Sequence, residues 1–199
     1  MKTKTLFFVT TNVKKVREYN RILKSMYSRL KIKQLKSPKT IHELRDQDVV
    51  KVAKDKARKV AKLFPNKMLM VEDTSFYIKA LKGPGCLIDR ETKKHHGYDY
   101  WCHLLNRKGI KGKARATRAE TAIALSYKNK KNKTKIRIFK GTIKGIITEK
   151  PKVTKFGWDG IFEPQELGKT FVELGPRIKD RMSMRKKALW KLARYLNKT

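Results

Sequence analysis

Hydrophobic residues alternate along the first part of the chain between strand-like and helix-like spacing. Residues 6–9 (LFFV) form a short apolar run that predicts a first β-strand. Asn12 follows where the N-cap of a helix should stand. Apolar side chains then recur at helical spacing, at Val13, Val16, Tyr19, Ile22, Leu23 and Met26. The pattern therefore predicts a strand, a tight turn and an amphipathic helix.

A second amphipathic helix is predicted between residues 49 and 64, with Asp46 or Asp48 at its start and Pro65 after its end. Residues 68–71 then predict a buried strand, and residues 76–81 a further extended segment before the turn at 83–85. A short helix is predicted over residues 98–105, ending near Gly109. Residues 121–127 and 135–147 predict an extended pair joined by a lysine-rich loop, and residues 184–196 a final helix.

Strands and helices are mixed along the sequence, which predicts a single α/β domain over residues 1–199 with a mixed sheet. No apolar stretch approaches the roughly 20 residues that a membrane span needs. The apolar run at residues 6–9 is too short for the core of a secretory signal. The two cysteines, Cys86 and Cys102, have no C-x-x-C spacing, which favours a reducing compartment. We expect a cytoplasmic protein, and the abundant lysines also allow nuclear entry.

The charge of the chain is extreme, because 52 Lys and Arg residues stand against 17 acids and give a formal net charge of +35. This balance predicts salt-dependent, non-specific attraction to nucleic acid or another polyanion. It does not establish a nucleic-acid function, because the lysines are spread along the whole chain. Compositional bias of the whole organism is the alternative explanation.

Candidate chemistry begins with Glu72 and Asp73, which directly follow the apolar run at residues 68–71. Unpaired charge beside a hydrophobic core is costly, so two adjacent acids there indicate a function or close partners. Carboxylates at the end of a strand suit a divalent cation, and such cations often hold phosphates. Both acids can serve one site only if the strand ends there, since neighbours in a strand point to opposite faces. The alternative is a carboxylate pair neutralised by Lys or Arg.

Three other segments could bind a phosphorylated ligand with a planar base. Residues 10–15 (TTNVKK) resemble a phosphate cradle at a helix N-terminus, although the same residues also suit a simple helix cap. Residues 156–159 (FGWD) could stack on a base, or could be a core aromatic pair around a turn. Cations crowd the start of the last helix, where they oppose the helix dipole and suit an anion: Lys179, Arg181, Arg185, Lys186 and Lys187.

In this order, the segments resemble the inosine triphosphate pyrophosphatase family, enzymes that remove non-canonical purine nucleoside triphosphates. The likeness runs from about residue 5 to residue 196 and rests on seven short motifs. Residues 10–15 resemble T-G-N-x-x-K, 71–74 match V-E-D-[ST], 80–85 resemble A-L-x-G-x-P-G with one residue missing, 139–145 resemble F-x-G-x-x-x-G, 156–159 match F-G-[YW]-D, 170–173 resemble T-[FY]-A-E, and 183–185 fall on S-H-R.

The resemblance implies an elongated mixed β-sheet flanked by helices, with two lobes around a central cleft, in a homodimer. It implies Mg²⁺-dependent cleavage of ITP, dITP or XTP between the α- and β-phosphates, giving the monophosphate and pyrophosphate. Asp73 would be the general base, and Glu43, Glu72 and Asp73 the metal ligands. The implied substrate-binding residues are Thr10, Thr11, Asn12, Val13, Lys14, Lys15, Lys56, Asp73, Thr74, Phe156, Gly157, Trp158, Asp159, Lys179, Ser183, Met184 and Arg185.

Two departures from the family pattern bear on specificity. Thr11 stands where the family has glycine, and its Cβ would resist a positive φ or a very close phosphate. Met184 stands where the family has histidine, and methionine cannot donate a hydrogen bond to a purine carbonyl. We therefore expect activity with altered or relaxed specificity. The alternative is a basic nucleic-acid-binding protein on the same fold, with reduced or lost hydrolase activity.

Overall fold

The computed structural model describes residues 4–26, 30–38, 40–154, 157–165 and 167–198. The strands are β1 (Lys4–Val9), β2 (Leu30–Leu35), β3 (Leu69–Ile78), β4 (Gly83–Gly85), β5 (Ala116–Lys128), β6 (Thr134–Ile147) and β7 (Phe162–Pro164). The helices are α1 (Val13–Ser25), α2 (Val49–Leu63), α3 (Ile88–Lys94), α4 (Asp99–Arg107), α5 (Phe171–Met182) and α6 (Met184–Lys198). Short 3-10 turns lie at Lys79–Leu81, Gly112–Arg115 and Gly157–Gly160.

The strands form one mixed sheet in the order β2-β1-β3-β5-β6-β7, and β4 also pairs with β3. β1 runs parallel to β2 and β3, whereas the remaining pairs are antiparallel. The prediction of an α/β protein with a mixed sheet flanked by helices is therefore confirmed. None of the helices in the part of the chain that the structure describes has the length and apolar character of a membrane span.

Alternating side chains of the central strands pack on two sets of helices. On one face, Leu6, Phe8 and Met70 join a core cluster with apolar residues of α1 and α6. On the other face, Val9 and Val71 join a cluster with apolar residues of α2. At the start of β3, Met70 therefore faces α1 and α6, whereas Leu69 and Val71 face α2, as the two-residue period of a strand requires.

β3 is longer than the sequence predicts, and one of its edges has a gap. It runs without interruption from Leu69 to Ile78, so the expected end of the strand at Val71 is wrong. On one side, β5 pairs with every residue of β3. On the other, β1 pairs only with Leu69 and Met70, and β4 only with Phe76, Tyr77 and Ile78. Within the described residues, positions 71–75 of β3 thus have no strand on that side, and an opening in the sheet results.

Polar side chains at the N-caps fix where the helices begin. The side chain of Asn12 accepts a hydrogen bond from the backbone N–H of Lys15, which confirms the predicted start of α1. Asp48 caps α2 in the same way. Thr170 and Glu173 form a reciprocal capping box at the start of α5, so the T-[FY]-A-E resemblance has a structural role here.

Two glycines of β6 allow close approach of other elements. A Cβ on Gly141 would lie 2.0 Å from the carbonyl oxygen of Met184, and a Cβ on Gly145 would lie 2.1 Å from that of Glu163. Real Cβ atoms do not approach backbone oxygen so closely. Gly141 therefore permits α6 to pack on β6, and Gly145 permits β7 to pair with it.

Candidate active site

The gap in the sheet beside β3 leaves room for Glu72 to contact the start of α1 and α6. Glu72 is 3% exposed, and its Oε2 lies 2.8 Å from Lys15 Nζ while its Oε1 lies 3.6 Å from Arg185 Nε. The Thr74 hydroxyl also donates a hydrogen bond to Oε1. Burial alone would raise the pKa of Glu72, but Lys15 and Arg185, with the hydrogen bonds from Lys15 and Thr74, lower it to about 2. This carboxylate is therefore ionised throughout the physiological range.

Asp73 projects toward α2, on the opposite face of the strand from Glu72. Its Oδ2 lies 3.3 Å from Lys56 Nζ, and Lys56 also forms an ion pair with Glu43. Burial raises the pKa of Asp73, and the nearby carboxylates Glu43 and Glu72 add to that effect against the attraction of Lys56 and Lys15. The two adjacent acids thus carry different proton affinities, because their surroundings differ.

A chain of buried ion pairs extends from Glu72 across the first face of the sheet. Arg185 Nη1 lies 3.1 Å from an oxygen of Glu18, and Nη2 donates to the Thr74 hydroxyl at 3.4 Å. Lys179 Nζ lies 3.9 Å from Glu18 and 2.6 Å from Asp159 Oδ2. The network therefore ties α1, β3, α5, α6 and the 157–160 turn together.

Glu18 is the member of this network that sequence reasoning missed. It is 2% exposed, and it stands among lysines and arginines on α1. The sequence does contain a signal for Glu18, because it is the one acid of a basic helix and stands next to the buried Tyr19. A buried acid needs a cationic partner. Its partners lie more than 160 positions away in the sequence, however, so their identity could not be read from α1 itself.

Most of the predicted ligand-binding residues line two adjoining cavities. The first has a volume of about 280 Å³, and the second about 340 Å³. The predicted residues around the first are Asn12, Lys14, Lys15, Thr74, Gly157, Trp158, Asp159 and Arg185. Lys14 and Asp159 also line the second cavity, to which Lys179 contributes. Residues from the beginning, the middle and the end of the chain therefore converge on one cleft.

The first cavity has a wall that the motifs did not identify. α3 contributes Ile88 and Asp89, and Tyr98 lies just before α4. The Tyr98 hydroxyl donates a hydrogen bond to Oδ1 of Asp89, and burial together with this bond raises the pKa of Tyr98. No comparable sequence signal marked Asp89, because it shares the first turn of α3 with a second acid, Glu91.

Trp158 confirms the interpretation of the FGWD segment as a core aromatic pair, whereas stacking on a base stays a prediction. It is 6% exposed and stacks on Phe76 with ring centroids 4.6 Å apart, so it belongs to the core. It also lines the first cavity. Gly157 has a φ of 54°, a left-handed conformation that favours glycine at this turn. Phe156 lies outside the described residues.

The other predicted residues lie apart from the lining of these two cavities. Thr10 and Thr11 lie in the turn between β1 and α1, and Val13 is the first residue of α1. The Thr10 hydroxyl accepts a hydrogen bond from the Asn12 N–H. Non-glycine residues with positive φ in the described chain are Lys82, His96 and Asn132, so Thr11 occupies its place without a left-handed backbone.

Ser183 and Met184 are fully buried at the start of α6. The Ser183 hydroxyl accepts a hydrogen bond from the Lys186 N–H, and Met184 packs in a core cluster that contains Phe76 and Trp158. The side chain at the position of the family histidine therefore supports the wall behind the cavity rather than its surface.

The carboxylates predicted to bind a metal ion are divided between two places. Glu43 and Asp73 converge on one cation, the ammonium of Lys56, whereas Glu72 binds Lys15 and Arg185. Within the described ranges, no three His, Cys, Asp or Glu side chains are arranged to hold a metal ion. Carboxylate oxygens are the donors that Mg²⁺ prefers, and Mg²⁺ commonly uses one or two of them together with substrate phosphates. Glu43 and Asp73 could supply the two carboxylates of such a site, with the remaining ligands from substrate phosphates and water.

Comparison with known proteins identifies the family of this chain. The model of the Ham1 family matches residues 6–195. This chain belongs to the Ham1 family. A relative from Ignicoccus hospitalis named dITP/XTP pyrophosphatase is 32% identical over 198 residues, which cover 99% of each chain.

Further members of the Ham1 family support the same relationship. A protein from Kluyveromyces lactis named inosine triphosphate pyrophosphatase is 29% identical to this chain. The alignment covers 98% of this chain and 96% of that protein. The solved structure of a HAM1 protein from Coxiella burnetii superimposes with a TM-score of 0.79 at 25% identity, covering 98% of this chain and 99% of that one. The resemblance inferred from the motifs is therefore confirmed.

Proposed function

We propose that this Ham1-family protein is a nucleoside triphosphate pyrophosphatase that hydrolyses non-canonical purine nucleotides such as ITP, dITP and XTP. The observation that carries the proposal is the convergence of Lys15 and Arg185 on the buried Glu72, beside a cavity that Trp158 and Asp159 also line. Relatives named for these activities cover nearly the whole chain, which supports the same chemistry here.

The start of α1 supplies the phosphate contacts in this proposal. Free backbone N–H groups and the positive end of the helix dipole favour an anion there. Lys14 and Lys15 add full positive charges at the cavity. Lys15 is paired with Glu72, so an incoming phosphate would compete with that carboxylate for the same ammonium. Arg185 offers a second cation whose position Glu18 fixes.

Glu43 and Asp73 would hold Mg²⁺ together with the phosphates, because their carboxylates already converge on a single cation. When bound, Mg²⁺ would offset the negative charge that develops on the departing pyrophosphate. Lys56 would then exchange its carboxylate partners for a phosphate oxygen. Glu72 would keep Lys15 and Arg185 in place, since its low pKa makes it an acceptor at any physiological pH.

Asp73 is the residue best suited to activate water. Its pKa is raised by burial, so its carboxylate binds a proton more readily than an ordinary aspartate does. In the proposed reaction, a water oxygen forms a bond to the α-phosphorus while the bond from that phosphorus to the bridging oxygen of the β-phosphate breaks. Asp73 accepts the proton from water, and the bond electrons leave with pyrophosphate.

The base would lie against the wall that Trp158, Asp159 and the 157–160 turn provide. Trp158 offers an apolar surface, and Lys179, held by Asp159 at 2.6 Å, offers a donor for a purine carbonyl. Met184 is buried behind this wall and offers no donor. We therefore expect a weaker preference for 6-oxopurines than a histidine at this position would provide.

Release of pyrophosphate tests the proposal directly. ITP, dITP, XTP, ATP, GTP and dUTP would be compared, each with Mg²⁺ and with an excess of chelator. We expect Mg²⁺-dependent release with inosine and xanthosine nucleotides fastest. Asp73→Asn should lower kcat about 10²- to 10⁴-fold, the usual contribution of a general base.

The matched control is Asp99→Asn on α4, because its side chain is 59% exposed. This variant should retain the activity of the original protein. Unchanged turnover in Asp73→Asn would overturn the assignment of the base, and no release from any nucleotide would overturn the hydrolase. Homodimer formation stays a prediction, which light scattering coupled to size-exclusion chromatography would test.

A further inference from the structure

The outward face of α6 carries a stripe of cations around an exposed tryptophan. Lys187 lies three and four residues before Trp190 and Lys191, and Arg194 lies four and three residues after them, so the four side chains share one face of the helix. All four are exposed. The opposite face is buried through Ala188, Leu189, Leu192, Ala193 and Leu196. The stripe is therefore a surface feature and makes no contribution to the core of the sheet.

Trp190 is unusual among the three tryptophans of the chain. Trp101 and Trp158 are each 6% exposed, whereas Trp190 is 45% exposed. The guanidinium carbon of Arg194 lies 4.6 Å from the ring centroid, which holds the indole in place by a cation–π contact. An accessible aromatic ring that is already positioned loses little conformational entropy when a planar group stacks on it.

The lysines beside Trp190 are also held in fixed positions. Lys187 Nζ donates a hydrogen bond to the carbonyl oxygen of Thr142, and Lys191 Nζ donates to that of Lys140, at 2.9 and 2.7 Å. An ammonium has three donors, so each retains capacity for a phosphate oxygen. A cavity of about 460 Å³ lies between β6 and α6, lined by Lys140, Gly141, Thr142, Lys186, Lys187, Trp190 and Lys191.

We propose that this α6–β6 groove binds single-stranded nucleic acid, with a base stacked on Trp190 and phosphates at Lys187 and Lys191. Single strands are recognised by aromatic platforms beside positively charged grooves, and both are present here. The net charge of +35 favours any polyanion. The exposed indole of Trp190 favours single-stranded nucleic acid over other polyanions, because an unpaired base can stack on it. The groove is separate from the catalytic cleft, with which it shares no lining residue.

The probe is a fluorescein-labelled 12-nucleotide oligouridylate, followed by fluorescence anisotropy at several salt concentrations. Trp190→Ala should weaken binding by about fivefold or more, the effect of losing one stacked base. Trp190→Phe should bind more tightly than Trp190→Ala, because it keeps an aromatic surface. Lys187→Gln with Lys191→Gln should reduce the slope of log K against log salt by about 1.4, since each phosphate contact on a single strand adds about 0.7.

The matched control removes two lysines from the hairpin loop, Lys130→Gln with Lys131→Gln, and so has the same net charge. It should retain the binding and the salt slope of the unmodified protein. Equal losses in the two lysine pairs would overturn the proposal, because binding would then follow net charge alone. Binding that is unaffected by Trp190→Ala would overturn it as well, as would failure of the unmodified protein to bind.

Intrinsic fluorescence distinguishes the chemistry of the ligand. Oligouridylate and its DNA counterpart should quench the emission of Trp190, whereas heparin and inorganic polyphosphate, which have no bases, should bind without comparable quenching. Trp190→Phe should remove most of the quenching, because Trp101 and Trp158 are each only 6% exposed. Equal quenching by heparin would contradict base stacking. Thermal unfolding of every variant would confirm that it is folded.

Discussion

Lys15 Nζ lies 2.8 Å from Oε2 of Glu72, at the place where β1 has ended and β3 continues. The contact depends on the gap in the sheet, because a longer β1 would occupy the position that the start of α1 now has. β3 therefore presents Glu72 to α1 and α6 on one face and Asp73 to α2 on the other. Two consecutive acids thus have different cationic partners, because they project from opposite faces of one strand.

The first prediction concerns acid unfolding and Glu72. Its folded pKa of about 2 is below its ordinary value of 4.5, so its stabilising contribution is present above pH 4.5 and is lost as the pH falls toward 2. The contribution is on the order of 3 kcal/mol for a shift of this size. In Glu72→Gln, the free energy of unfolding should therefore fall less steeply than in the original protein as the pH is lowered from 4.5 to 2. Urea denaturation at each pH would measure this.

The control for Glu72→Gln is Glu149→Gln, at an exposed position. It should follow the original protein across the acid range. Burial raises the pKa of Asp73 and Asp159, so their contribution is present at low pH and is lost as the pH rises through their folded pKa values. The acid decline must therefore come from other carboxylates, and an unchanged decline in Glu72→Gln would contradict the assignment to Glu72.

The second prediction concerns the buried acid of α1. Glu18→Ala removes the carboxylate that lies 3.1 Å from Arg185 Nη1, and with it an anion 3.9 Å from Lys179 Nζ. Loss of one partner from a buried ion pair typically costs about 3–5 kcal/mol, because a charge is left uncompensated. We expect a loss of that order in urea denaturation.

Glu91→Ala provides the comparison for Glu18→Ala, since it breaks an ion pair with Lys94 on the exposed part of α3. It should cost much less than Glu18→Ala, because exposed ion pairs contribute little to stability. Similar losses in the two variants would show that the network around Glu18 contributes no more than a surface pair.

Local patterns predicted the parts of the fold that depend on neighbouring residues. Asn12 and Asp48 are the N-caps of α1 and α2, and the lysine-rich loop joins β5 and β6 as expected. These features are local because a cap or a hairpin is decided within a few positions. β2 was missed although Leu30 and Ile32 alternate with lysines, and α3 was missed because only Ile88 and Thr92 in it are buried.

The gap in the sheet could not be read from the sequence. It requires β1 to end at Val9 and β4 to begin pairing at Phe76, and neither limit is visible in the composition of β3. The pairing of Glu18 with Arg185 likewise joins residues 167 positions apart. The family resemblance alone predicted that Lys15, Glu72 and Arg185 belong to one site. The structure shows that both cations form ion pairs with Glu72.

The third prediction concerns Thr11, which stands where the family has glycine. Its backbone does not adopt the left-handed conformation, so glycine would bring no relief of strain here. Thr11→Gly should lower the free energy of unfolding by up to about 1 kcal/mol, because the unfolded chain gains conformational freedom.

Thr11→Ala is the matched variant for Thr11→Gly, since it removes the hydroxyl and keeps the Cβ. Its stability should stay close to that of the original protein. A gain in stability in Thr11→Gly, measured by thermal unfolding, would show that the Cβ is strained after all. The KM for ITP in the two variants would separate the effect of the Cβ on phosphate approach from that of the hydroxyl.

The last prediction links Lys56 to the pH dependence of the proposed reaction. Lys56 lies 3.3 Å from Asp73 and opposes the rise in pKa that burial imposes on that carboxylate. Lys56→Met should therefore raise the pKa of Asp73 further. The acid limb of kcat/KM, which reports the base of the free enzyme, should move to higher pH. The plateau should also fall, since a cation near the phosphates is lost.

Lys59→Met is the control for Lys56→Met, because Lys59 lies on the same helix, pairs with Asp55 and is 44% exposed. It should leave the acid limb in place. Asp73→Asn should remove that limb from whatever activity remains, which ties the titration to this carboxylate. An acid limb that stays fixed or moves to lower pH in Lys56→Met would mean that Lys56 does not control the proton affinity of the base.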